Sequence, residues 1–210
     1  MKHTKQIALL LFVSTFLIIA FGCKKDKNKI KVRTHTFAIN WFKDASTSNP
    51  SSFIDLYNGK AYNQADAVLK SDSIDFFIYD RSALLVSSQA LSVINMVFYG
   101  NNNYSAYDTF NTVVGVVSFP NYNNSTMSEV AITSTEYNEI ENNDDIANLF
   151  TEKSLNGGYT DIDIAAADLT ATTKYYMFNC TKVSKRGFFR IVSSNYLPGG
   201  NMTIEVKVER

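Results

Sequence analysis

The chain has 210 residues, with 20 basic and 20 acidic side chains, two cysteines and two histidines. So few histidines exclude a zinc site built from several of them, and two cysteines cannot make a disulfide framework. From Thr34 onward the balance is 12 basic against 19 acidic residues, which speaks against nucleic acid as a partner, because phosphate binding needs clustered Lys and Arg.

Lys2 and Lys5 open the chain, Ile7 to Phe21 is almost wholly apolar, and Ala20-Phe21-Gly22-Cys23 runs directly into Lys24-Lys25-Asp26-Lys27. A basic start, an apolar run too short to span a bilayer comfortably and small residues before a cut site make a secretory signal. With a cysteine directly after Gly22, the stretch resembles a bacterial lipobox. That resemblance implies cleavage before Cys23, lipid on its thiol and amine, and anchorage in the outer membrane. The chain then divides into a signal over 1–22, a lipidated Cys23 with a basic tether over 23–33, and one domain over 34–210. The mature chain is 210 less 22, or 188 residues. A chain of that length buries roughly 70% of its unfolded surface and folds without disulfide or metal. Once Cys23 is lipidated, Cys180 has no partner and reads as a small buried apolar side chain. Lys24 to Arg33 holds six basic residues and one acid. It reads as a solvated spacer, with attraction to anionic headgroups as the functional alternative.

Thr34 to Phe42 alternates as a strand, with Phe37, Ile39 and Trp41 on one face, so the single Trp is expected in the core. Asn58-Gly59 favours a tight hairpin turn with positive φ angles between short strands. Asn63 can cap a short helix over Gln64–Lys70, with Asp66 near its positive end. Ile74 to Tyr79 is a dense apolar strand.

The run Ser52-Phe53-Ile54-Asp55-Leu56-Tyr57-Asn58-Gly59-Lys60-Ala61-Tyr62, a short helix, and Ile74-Asp75-Phe76-Phe77-Ile78-Tyr79 resemble a recurrent unit in uncharacterised lipoproteins of the Bacteroidetes. The closing segment, with Gly187 in a turn and Met202 to Val208 as the last strand, is similar to the end of those domains. The resemblance covers about half the mature chain. It implies a mainly β domain and carries no activity. Lys25-Asp26 partly resembles the surface-export signal of such lipoproteins, and Asp72-Ser73-Ile74 their short O-glycosylation motif. Lys27 stands where a second acid is expected, so the periplasmic and cell-surface faces both stay open.

Ser82 to Tyr99 reads as a helical turn followed by a strand. Asn101 to Asn111 and Asn121 to Ser128 are polar loops flanking a β-branched strand, Thr112 to Phe119, that Pro120 stops. Within Thr133 to Glu152 the period changes. Two small amphipathic helices are expected over one end or edge of a sheet, the second capped by Asn143. Gly157-Gly158 breaks the pattern. From Asp161 the alternation returns. Tyr176, Phe178 and Cys180 share one strand face, while Tyr175, Met177, Asn179 and Thr181 share the other. Lys185-Arg186-Gly187 reads as a turn and Pro198-Gly199-Gly200 as a loop. Met202, Ile204, Val206 and Val208 alternate in the cleanest half-buried strand. The fold class is mainly β: a single antiparallel β-sandwich of about eight strands with two or three short helices.

His35 is the one mature histidine and is expected to be solvated near a strand end, so a Cys180–His35 nucleophile pair is disfavoured. Glu129 to Asp168 holds ten carboxylates and one base, Lys153. Asn142-Asn143-Asp144-Asp145 and Asp161-Ile162-Asp163 could offer oxygens to calcium, but neither matches a twelve-residue loop. No metal, cofactor or catalytic residue is assigned. Tyr104, Tyr107 and Tyr122, set among asparagines, have the rigid-aromatic and adaptable-amide chemistry of recognition surfaces. The expected function is a lipid-anchored, non-enzymatic binding or interaction module of the cell envelope with a glycan or protein partner. The alternatives are a glycan-capture lipoprotein of a polysaccharide-uptake system, a structural envelope subunit pairing through Met202–Val208 as an edge strand, and a carboxylate-dependent hydrolase.

Overall fold

The computed structural model describes residues 29–40, 51–80, 93–98, 125–153, 161–165, 174–195 and 200–210. Several sequence expectations lie outside them: the signal and Cys23, Trp41, the turn over 82–92, the loops bearing Tyr104, Tyr107 and Tyr122, the strand 112–119, Gly157-Gly158 and Pro198-Gly199.

The strands are β1 (Arg33–Asn40), β2 (Phe53–Asp55), β3 (Lys60–Tyr62), β4 (Phe76–Asp80), β5 (Val93–Phe98), β6 (Thr126–Val130), β7 (Asp161–Ala165), β8 (Tyr175–Cys180), β9 (Lys185–Asn195) and β10 (Asn201–Val208). The helices are α1 (Gln64–Leu69), α2 (Ser134–Asn138) and α3 (Asn143–Lys153), with a 3-10 turn over Ser71–Ser73. Two five-stranded antiparallel sheets form, in the orders β1-β10-β9-β8-β6 and β3-β2-β4-β5-β7. Their facing sides share one apolar cluster: Ile54, Leu56, Phe76 and Ile78 from the second sheet meet Tyr176, Phe178, Phe189, Ile204 and Val206 from the first. Phe76 stacks on Phe189 across the gap, centroids 5.9 Å apart. Each such side chain contributes roughly 1.5–3 kcal/mol by leaving water. The fold is therefore mainly β and sandwich-like, as the alternation predicts.

The two-sided pattern of β8 has a structural cause. Tyr176, Phe178 and Cys180 enter the inter-sheet core. Tyr175 and Met177 join Phe188 on the outer face, where Tyr137, Ile140 and Ile146 cover them. The helices thus cover a sheet face, not the end or edge expected of them. Their caps follow local chemistry. Thr133 and Glu136 form a reciprocal capping box at α2, and the Asn63 side chain accepts from the Asp66 amide at 2.9 Å. At α3 the cap is Asn142, one residue earlier than expected: its side chain accepts from the amides of Asp144 and Asp145 at 3.0 and 3.3 Å.

Other expectations change. Met202–Val208 is not an edge strand: β10 is hydrogen-bonded to β1 on one side and β9 on the other. Pairing with a partner through that strand is excluded. Thr126 to Ser128 belong to β6 rather than to a polar loop. The β2–β3 turn has a positive φ only at Gly59 (+65°). Asn58 acts there through its amide and side chain, which donate to the Asp55 carboxylate at 2.9 and 2.7 Å. The turn between β8 and β9 is Thr181–Ser184, with Ser184 at φ 51°, and Gly187 is not in it. Gly187 lies inside β9, opposite Phe178 and Val208. A Cβ there would sit 2.4 Å from the Phe178 ring and 2.5 Å from the Lys207 carbonyl oxygen. The glycine serves close strand approach rather than a turn.

The tether is also shorter than the sequence suggests. The Ile30 carbonyl accepts from the Asn143 amide at 2.9 Å, Lys31 bridges to Asn142, and the Val32 amide donates to Glu141 at 3.1 Å. Among the described residues, the fold therefore already holds the chain at Ile30.

Candidate functional site

The most concentrated polar chemistry of the described residues lies between the sheets. Asp75 is 1% exposed and Asp55 2%. Asp75 immediately precedes β4, and its carboxylate accepts from the Leu56 amide at 2.7 Å. It also accepts from the Ser125 hydroxyl and the Cys180 thiol. Leu56 belongs to the second sheet's hairpin, Ser125 leads into β6, and Cys180 ends β8. One buried carboxylate thus joins both sheets. Burial pushes Asp75 up to about 6, against the pull of these donors and with a further push from Asp55. Burial raises Asp55 too, opposed by Asn58, Lys60 and His35. The Cys180 thiol is 1% exposed and pushed well above the usual thiol range, first by burial and then by Asp75. It stays protonated and donates to the carboxylate, which is the opposite of an activated nucleophile.

The raised Asp75 fixes a pH dependence. Its folded-state proton affinity exceeds that of the unfolded chain, so stability rises as pH falls through about 6. A group at about 6 when folded and near 3.8 when unfolded adds about 1 kcal/mol between pH 7 and pH 5, or ~3 °C in Tm. Glu136 acts oppositely, held at about 2 by the Thr133 amide and Lys153, but its contribution disappears only at lower pH. Asp55, raised in the same direction, adds to this, so thermal unfolding at pH 7 and pH 5 should show a larger acid gain in the wild type than in Asp75→Asn. An equal gain in both would contradict the assignment.

His35 is not solvated at a strand end. It lies within β1 opposite Val206, packs where a Cβ on Gly59 would have to go, and its Nε2 is buried without a hydrogen-bond partner. Three strand spacings separate β1 from β8, about 14 Å at the usual ~4.8 Å each, so His35 and Cys180 do not form a pair.

Within Asn142-Asn143-Asp144-Asp145, the Asn142 and Asp145 side chains are committed to helix geometry. The Asp145 carboxylate accepts from the amides of Glu141 and Asn142 at 2.9 and 3.0 Å, while Asn142 caps α3. Among the described residues, no group of three or more His, Cys, Asp or Glu could hold a metal ion. Two buried charges escape the sequence pattern. Lys207 sits at an outward position of β10, yet is 9% exposed. Its ammonium donates to the carbonyls of Tyr137, Asn138 and Ile140 at 3.0, 3.0 and 2.9 Å. Glu209 is 7% exposed and accepts from Arg186 Nη2, Nε and amide at 2.7, 3.1 and 3.0 Å. The signal for Asp75 was a carboxylate inside the apolar run Ile74 to Tyr79. Lys207 gave none, because its alternation is that of a solvated face.

Comparisons with protein families, curated proteins and solved structures found no match. Site chemistry therefore has to be read from this chain. The expected lipidation site Cys23 and contact residues Tyr104, Tyr107 and Tyr122 lie outside the described residues, so the fold neither gathers nor separates them. Of the residues it does gather, Asp75, Ser125 and Cys180 tie the sheets together, and Lys207 and Glu209 fix the helical layer and the C-terminus.

Proposed function

We propose that the chain is a lipid-anchored lipoprotein of the outer membrane whose β domain is a non-enzymatic binding or interaction module. One observation carries this reading. Ala20-Phe21-Gly22-Cys23 ends a signal-like apolar run, and the fold already holds the chain seven residues later, at Ile30. Seven residues is the length of a tether rather than of a further domain. The non-enzymatic part is supported by what the reactive side chains do. The Cys180 thiol is buried and held neutral, Asp55 and Asp75 are interior, and the Asp145 carboxylate is taken up by the Glu141 and Asn142 amides. The recognition surface is proposed at Tyr104, Tyr107 and Tyr122 on their sequence chemistry, with a glycan or protein as ligand. A soluble-domain pull-down against glycans tests that part.

The anchor is tested by Cys23→Ala. The wild type should fractionate with outer membrane and enter the detergent phase on cloud-point extraction. The variant should lose lipid modification and leave that membrane. Identical fractionation of the two forms would overturn the anchor. Protease shaving of intact cells then reads the membrane face.

A further inference from the structure

The antiparallel registers bring distant segments to one pole of the sandwich. β1 starts there, with Arg33 opposite Val208 at the end of β10, and Val208 lies opposite Gly187 near the start of β9. The Thr181–Ser184 turn belongs to the same pole, because Lys185 lies opposite Cys180. Lys182 of that turn pairs with Asp72, which places the end of α1 and the 3-10 turn beside it. The chain also enters the fold at this pole: Asn143, whose amide holds Ile30, bonds through its side chain to Arg210.

Among the described residues, apolar exposure gathers at this pole. Among the described residues, four large apolar side chains are exposed: Leu69 at 79%, Ile30 at 58%, Val192 at 52% and Val183 at 38%. Three of them, Leu69, Ile30 and Val183, are at this pole, and only Val192 lies toward the other end of β9. Lysines stand beside each of the three: Lys29 and Lys31 flank Ile30, Lys70 follows Leu69, and Lys182 precedes Val183. Two ion pairs at the pole cancel, Asp72 with Lys182 and Glu209 with Arg186. Glu141 and Asp144 remain exposed at the α3 corner. The favourable side is therefore the one formed by Leu69, Lys70 and Val183.

We infer that this pole rests on an anionic phospholipid surface, with Leu69 and Val183 entering the headgroup layer and Lys70 and Lys29 contacting its charge. The inference rests on the lipid-anchor reading. Seven residue steps from Cys23 to Ile30 reach at most about 25 Å when fully extended, and about 14 Å as a relaxed coil. Four lysines and one aspartate fill the tether between them. Isolated apolar side chains interleaved with basic ones are the composition of an interfacial contact. The remainder of the domain is acidic, which orients this pole rather than another toward an anionic surface.

The test uses the mature chain from Lys24, with an N-terminal hexahistidine replacing the lipid. It is held on vesicles of nickel-chelating lipid in either phosphatidylglycerol or phosphatidylcholine. Environment-sensitive fluorophores are placed by Leu69→Cys, Val183→Cys and, as control, Val192→Cys; the buried Cys180 stays unlabelled. On phosphatidylglycerol, headgroup-level spin-labelled lipid should quench the probes at 69 and 183 and leave 192 unquenched. Lys70→Gln should weaken that quenching, and phosphatidylcholine should remove it. Equal behaviour of the three probes on phosphatidylglycerol would overturn the inference. Failure of the anchor reading is seen separately, as an unacylated Cys23 in protein recovered from cells.

Discussion

Gly187→Ala is expected to destabilise the domain by ~3 kcal/mol, lowering Tm by ~6–12 °C. Local propensity predicts the opposite sign, because a glycine inside a strand costs ~0.5–1 kcal/mol relative to alanine. The steric term decides. The added methyl would sit 2.4 Å from the Phe178 ring tip and 2.5 Å from the Lys207 carbonyl oxygen. Phe178 cannot swing away, since it is fully buried in the inter-sheet cluster and packs on Phe189. The Lys207 carbonyl belongs to β10, which is paired on both sides. Relief therefore requires moving two strands. Chemical denaturation reads the effect, and an alanine variant as stable as the wild type would refute the close-approach role.

Lys207→Met is the second large effect, at ~2–3 kcal/mol. Two terms oppose each other. Burial lowers Lys207 below the usual lysine range, so removing the ammonium relieves a desolvation cost. Against this, the Tyr137, Asn138 and Ile140 carbonyls lose the ammonium at the end of α2, although the Tyr137 carbonyl keeps the Ile140 amide at 3.3 Å. A lysine has three donor hydrogens, and here each has an oxygen. Methionine preserves the stem packing but leaves those carbonyls under the helical layer. The Tyr137 ring, 5.1 Å from the ammonium, also loses its cation. The unfolding midpoint should fall, with α2 amides exchanging faster than those of β10. An unchanged midpoint would show that water satisfies the carbonyls without cost.

Much of the fold was legible because its causes are local. The period of two in β8 and β10 is the sheet pleat itself. Asn63 and the Thr133–Glu136 pair cap helices through atoms only three residues apart. What sequence reading misplaced depends on distant neighbours. Gly187 looks like a turn residue until the Phe178 ring and the Lys207 carbonyl are brought beside it. Met202–Val208 reads equally well as an edge or an inner strand, because alternation reports faces and not neighbours. β1, some 160 residues earlier, closes its open side. Lys207 reads as solvated because only the helices, which arrive from residues 134–153, bury it.

Site chemistry was less legible for the same reason. Asp75 lies 50 residues from Ser125 and 105 from Cys180, and nothing in either segment announces the other. The sequence did mark Cys180 as buried, through its place beside Tyr176 and Phe178. It could not show that the thiol would serve as a donor to a carboxylate crossing between sheets.

The proposed lipid on Cys23 underlies every reading of where this domain sits. The most direct test is mass spectrometry of the N-terminal peptide from chain recovered from membranes. The expected result is a peptide beginning at Cys23, heavier than its amino-acid mass by a diacylglyceryl group and an N-linked acyl chain. An unmodified Cys23 within a peptide that continues back toward Met1 would contradict it.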